Sequence, residues 1–172
     1  GGEVDASGAA GGGSVQGGGS YRGLDEATHN AAFTGIASDA VVRADATASG
    51  PGGEVIVWSE RQTIVNGAIT ARGASGGAGG FVETSSRGHL TVTRAPLIGW
   101  GGQWLLDPED IVINNQPSED MCDGTAGNSC ATQGTFQGQG GGTEPSILNV
   151  SVLAAALNGG SSITVDTSDV SV

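Results

Sequence analysis

Asp107, Glu109 and Asp110 place three carboxylates within four positions, and Glu83 adds a fourth on what reads as an earlier strand. Cleavage of a glycosidic bond requires two positioned carboxyl groups, one to donate a proton and one to act as base or nucleophile. These four residues are therefore the first place to look for hydrolytic chemistry. Polysaccharide lyases instead need a basic Lys, Arg or Tyr beside a metal or carboxylate. Lysine is absent from the chain, and its single tyrosine is Tyr21. Acidic residues in the loops of an acidic protein are ordinarily solvated. On this reading no residue is assigned as catalytic, and no enzyme is expected.

The other chemistry-bearing residues are sparse. Cys122 and Cys130 flank the polar run Asp123 to Ser129. A disulfide there would be a local staple worth about 2.5 kcal/mol in the chain-entropy view. A zinc site is poorly served by two thiolates at this spacing with no nearby histidine, and a pair of reduced thiols in a loop stays open. Glu119, Asp120 and Asp123 suggest calcium, but their spacing does not follow the alternation and closing glutamate of an EF-hand. His29 and His89 lie far apart in sequence, and His89 reads as a surface or rung-edge residue. Asn149-Val150-Ser151 fits the Asn-x-Ser glycosylation pattern, a weak signal. No metal and no cofactor are expected.

The elements that would position these groups are set by a recurring Gly-Gly-x-Val unit. It occurs at Gly1 to Val4, Gly12 to Val15, Gly52 to Val55 and Gly79 to Val82, with a weaker echo at Gly101 to Trp104. Each glycine pair reads as a turn, because glycine accepts positive φ without steric cost. The residues after each pair read as a strand. Recurrence of a turn-then-strand unit predicts stacked coils of about 20 to 27 residues. Small and β-branched residues suit such rungs, and Val55, Val57, Ile69, Val82, Leu90, Val92 and Leu105 are expected to point inward, with Leu106 also in the core.

Composition narrows the functional classes. The chain has 172 residues, of which 33 are glycine, and 37% are hydrophobic. That is enough apolar residue for an ordered β core. The formal net charge is −12, and the six basic residues are dispersed arginines. A nucleic-acid groove needs concentrated positive charge, so nucleic acid is not an expected partner. No run approaches the ~20 apolar residues of a membrane helix, so membrane insertion is not expected. The first residues lack a signal-peptide pattern. The chain reads as a piece of a longer protein.

Four regions follow. Residues 1–36 are irregular or form first coils, and Leu24 to Phe33 has weak helical spacing or is a loop leaving the wall. Residues 38–113 are core coils, with Asn66-Gly67 as a turn and Pro108 ending a strand. Residues 114–145 form a long polar excursion carrying both cysteines. Residues 146–172 hold further coils and a short helix near 151–158, capped by Ser151 and stopped by Asn158-Gly159.

Four phrases occur in an order that carries a resemblance. They are Gly52 to Trp58, Asn66 to Gly73, Gly79 to Ser85 and Trp104 to Ile111. Together with Ser146 to Thr167, they resemble the filamentous-haemagglutinin-like exoproteins of Gram-negative two-partner secretion. The resemblance implies an all-β fold, a right-handed parallel β-helix, as one segment of a large secreted or surface-exposed fibre protein. It implies adhesion through a glycan or protein ligand on host or neighbouring cells. The other partners are the remainder of the same exoprotein and an outer-membrane transporter, engaged through a region not recognisable here. It carries over no catalytic residues. A secreted setting favours a Cys122–Cys130 disulfide that pins the excursion. The competing readings are a carbohydrate-active β-helix enzyme and a passive stalk for a toxin or ligand-capture tip.

Overall fold

The computed structural model describes residues 1–116 and 145–167. The chain is mostly β, in parallel sheets with no closed barrel among the described residues, as the all-β expectation requires. Its strands are β1 (Glu3–Asp5), β2 (Ser14–Gly17), β3 (Phe33–Ile36), β4 (Val41–Arg43), β5 (Glu54–Val57), β6 (Gln62–Val65), β7 (Ala68–Thr70), β8 (Phe81–Ser86), β9 (His89–Val92), β10 (Gln103–Pro108), β11 (Ile111–Asn114), β12 (Ser146–Asn149) and β13 (Ser162–Val165). Among the described residues one α-helix, α1, spans Val150–Asn158. The chain visits three sheets in turn and then repeats the visit. The sheet orders are β1-β4-β7, β13-β10-β8-β5-β2 and β3-β6-β9, and β11 pairs with β12. Residues 1–36 thus contribute a first pass, with β1, β2 and β3 all paired in parallel to the pass that follows.

Register explains the core. Val15, Val55, Val82, Trp104 and Ile163 stand in one row across the long sheet, and Val57, Thr84 and Leu106 in another. These residues alternate along each strand with the opposite face. Inward residues from all three sheets meet in a single cluster that includes Val42, Val55, Val65, Ile69, Val82, Val92, Trp104 and Leu106. Two polar pairs lie inside: Trp104 Nε1 donates to Thr84 Oγ1 at 2.9 Å, and the Ser59 and Thr63 hydroxyls meet at 2.7 Å. All seven residues expected to point inward are buried. Leu105 is nonetheless on the other face. It stands beside Glu83 and Ile56 in register, outside the core that holds Trp104 and Leu106. Period-two alternation cannot put two adjacent leucines on one face.

The glycine pairs work differently from the expectation. Gly101, in the weaker echo, has the expected positive φ of 73°, but four others do not: Gly52, Gly53, Gly79 and Gly80. They are glycine because neighbouring passes approach too closely for a side chain. A β-carbon at Gly53 would lie 2.0 Å from the Gly13 carbonyl oxygen, and one at Gly80 would lie 1.9 Å from that of Gly53. Asn66-Gly67 does change the chain's direction as expected. Its amides both donate to Ile36 O, and it forms the corner between β6 and β7, which belong to different sheets. Gly67 again has no room for a β-carbon, which would meet Ala37 O at 2.5 Å.

The helix begins one residue earlier than expected, and its cap is Asn149, not Ser151. Asn149 is extended at φ −69 and ψ 129, and its side chain accepts from Ser151 N. That is the N-cap geometry, whereas Ser151 is already helical. The stop at Asn158-Gly159 stands, with Gly160 supplying the positive φ of 86°. Among the described residues no helix is long and apolar enough to cross a membrane.

Candidate functional site

Residues 18–31 leave the wall as a loop whose base is closed by Ala31 N donating to Gly18 O at 2.6 Å. Apart from one 3-10 turn at Tyr21–Gly23 it contains no helix. The loop folds back over the outer face of the long sheet. Gly19 and Gly23 lie so close to the buried Trp58 ring that a β-carbon at Gly23 would meet it at 2.4 Å. Asn30 Nδ2 donates to Gly23 O, and the Tyr21 and Phe81 rings pack with centroids 5.9 Å apart.

Arg22 is the hub of this arrangement. Its backbone N–H faces both carboxylate oxygens of Glu83, at 3.1 and 3.2 Å. Its guanidinium donates to Asp166 at 2.8 Å and lies 3.6 Å from Asp107. Its Nε donates to Tyr21 OH at 3.2 Å. One residue of the first pass therefore touches carboxylates of three later strands or their ends. Burial disfavours the arginine charge, but Asp166, Tyr21 and Asp107 outweigh it and push the guanidinium pKa up.

The carboxylates respond to the same surroundings. Glu83 is fully buried, and burial pushes it from 4.5 to about 7, against the pull of the Ser85 hydroxyl and the Arg22 amide. Asp107 is also raised by burial; Arg22 opposes this, and Asp166 adds to it. Of the four carboxylates singled out from sequence, the structure brings Glu83 and Asp107 together around Arg22. Glu109 and Asp110 are exposed and take no part. Two carboxyl groups with raised pKa beside an arginine and a tyrosine are parts that acid–base catalysis uses. Here the more perturbed carboxyl is sealed beneath the loop, with both oxygens facing a backbone amide.

A second set of contacts runs along the wall. Arg72 holds Asp45 through its backbone N–H at 2.7 Å and through Nη2 at 2.7 Å, across 27 residues. The same separation of 27 joins Ser75 to Ala48, Ser86 to Ser59, Arg87 to Glu60 and Thr93 to Asn66. For Asp45 burial acts upward, yet the hydrogen bonds from Arg72 prevail and hold the carboxyl below its usual value. Four arginines, Arg22, Arg43, Arg72 and Arg87, thus pair with carboxylates on other passes.

The remaining sequence candidates fall partly outside the described residues, and those inside are not brought together. Cys122, Cys130, Glu119, Asp120 and Asp123 lie outside the described residues. Among the described residues no group of three or more His, Cys, Asp or Glu is arranged to hold a metal ion. His29 is exposed in the loop, and His89 opens β9. Asn149 is engaged as the helix cap and through Nδ2 to Gln116 O at 2.7 Å. Arg22 and Asp166 were not singled out from sequence. The available signal for Arg22 was its glycine-flanked position, between Gly18-Gly19 and Gly23, as a cation in a strongly acidic chain.

No protein-family model matches the chain, and no curated protein matches it.

Proposed function

We propose that the chain is a segment of a right-handed parallel β-helix in a secreted or surface-exposed fibre protein, and that it serves as a non-enzymatic adhesive or structural element. The observation that carries this reading is the in-register parallel stacking of successive passes, with β1, β4 and β7 in one sheet, β2, β5, β8, β10 and β13 in a second and β3, β6 and β9 in a third. A repeating parallel pairing in which each pass rests on its neighbour makes a rod, and a rod displays surface along its length. The ordered phrases resembling filamentous-haemagglutinin-like exoproteins support the same class. That class brings a glycan or protein ligand on host or neighbouring cells, the rest of the exoprotein, and a Gram-negative cell surface as its setting.

The carbohydrate-active enzyme is the rival that the Glu83–Asp107 pair recommends. It is disfavoured because Glu83 has no exposed surface. The test is a glycan array and host-cell binding with the chain and with its full-length parent, alongside polysaccharide turnover. Saturable binding without turnover supports the adhesive segment. Turnover abolished by Asp107→Asn or Glu109→Gln overturns it in favour of the enzyme. Binding by the parent but not by the chain assigns this segment to a passive stalk.

A further inference from the structure

We infer that residues 18–31 form a strap whose closure over β8 and β10 is coupled to proton uptake at Glu83, so that the strap tightens in mild acid and loosens in mild base. The proposal concerns the loop and holds whether or not the segment is adhesive.

The geometry carries the argument. The strap lies on the outer face of the long sheet and closes on itself at Gly18 and Ala31. Beneath it, Glu83 is flanked in register by Ile56 on β5 and Leu105 on β10, both apolar and buried. Strap closure is what removes this carboxyl from water, and a buried charge is costly. The groups that act on it are Arg22 from the strap, Ser85 from β8 itself and Asp107 from β10, while Tyr21 and Asp166, beyond β13, engage the Arg22 side chain. The direct contact to Glu83 from the strap is the Arg22 backbone amide, a neutral donor, while the Arg22 charge is turned to Asp107 and Asp166. A neutral Glu83 still accepts from that amide, so protonation removes the cost of burial and keeps the hydrogen bond. Arg22 also holds φ at 53°, a conformation unfavourable for a side-chain-bearing residue, so the closed strap has little surplus to spare.

The direction follows from linkage. Closure raises Glu83 from 4.5 to about 7, and burial raises Asp107 too. The closed form therefore binds protons more tightly. Its advantage is complete below about pH 4.5 and is lost as pH rises through about 7. Between about pH 5.5 and 8 the opening constant should rise on the order of tenfold or more.

The experiment is amide hydrogen exchange of the whole chain across that range, corrected for the intrinsic pH dependence of exchange and read over residues 18–31. The expected result is at least roughly tenfold less protection at the high end, confined to the strap. Glu83→Gln should hold the strap closed at both ends. Arg22→Ala keeps the backbone amide and should lower protection of the strap at both ends while retaining the slope. Equal protection at both pH values in the natural chain overturns the proposal. So does a slope that survives in Glu83→Gln but vanishes in Arg22→Ala, which would assign the proton to Asp107 or Asp166. Should Glu83→Gln fail to fold, carboxyl carbon NMR of the natural chain decides. A Glu83 midpoint near 7 is expected, and an ordinary one near 4.5 overturns the proposal.

Discussion

Replacing Gly80 by alanine should damage this protein far more than a single methyl group ordinarily does. The β-carbon would sit 1.9 Å from Gly53 O and 2.7 Å from Gly52 C, both backbone atoms that no rotamer change can move. Ordinary contact begins near 3.5 Å, so the facing backbone must retreat by about 1.5 Å. Parallel strands sit only about 4.8 Å apart, and such a shift breaks the local ladder. The bonds at stake are Gly80 N to Ala71 O at 2.8 Å and Phe81 N to Gly53 O at 2.9 Å. Each contributes about 1 kcal/mol net, and a carbonyl left buried without a donor costs a further ~1–3 kcal/mol. The restricted unfolded chain returns only ~0.4–1 kcal/mol. The net expectation is a loss of ~2–4 kcal/mol, a large share of the ~5–15 kcal/mol that stabilises a typical domain.

Gly2 provides the control, since it has no positive φ and nothing within 4 Å of its built β-carbon. Gly2→Ala should therefore fall within about 0.5 kcal/mol of the natural chain. Urea unfolding of the three proteins, followed by far-UV circular dichroism, makes the comparison. A Gly80→Ala chain within about 1 kcal/mol of the natural one would refute the stacking argument. So would Gly2→Ala destabilised as much as Gly80→Ala, because the damage would then not track the contact.

Three further outcomes are expected. Trp104→Ala removes a fully buried side chain and its bond to Thr84, and should cost about 3–5 kcal/mol in the same unfolding assay. Global stability should pass through a maximum between about pH 4 and 6 in unfolding titrations. Asp45 is held below 3.8, so its contribution is present above that value and lost as pH falls through its folded pKa; Glu83 acts oppositely, contributing fully below 4.5 and losing its effect through about 7. Asn149→Ala should cost about 1 kcal/mol through the lost cap, whereas Ser151→Ala should be nearly neutral, a contrast visible in thermal melting.

The strands were legible because their inward residues recur at every second position. Val55, Val57, Val82, Leu90 and Val92 alternate with residues of other types, and period-two reading finds them directly. The same rule fails where both faces are covered. Ile56 and Leu105 are buried on either side of Glu83, so β5 and β10 read as nearly continuous apolar runs, and the run itself does not say which face is core. The recurring glycine pairs were found for a sound reason and assigned the wrong one. Glycine marks both positive φ and close approach, and a sequence shows only that a side chain is missing.

The Arg22 cluster was out of reach for a different reason. Arg22 and Asp166 are 144 residues apart, and nothing local to either predicts the other. Glu83 did register as one of several carboxylates, but its distinction comes from what covers it. A glutamate on the outer face of a bare parallel sheet would be solvated and unremarkable. With the strap in place it has no exposed surface, faces one backbone amide through both oxygens, and shares an arginine with two other carboxylates. The physical content of the site therefore belongs to the loop. Its glycines fit against Trp58, its half-buried Arg22 reaches three passes through backbone and side chain together, and Tyr21 packs on Phe81. Where the sheets repeat the same parallel pairing, the segment that departs from the repeat is the one that can respond to its surroundings.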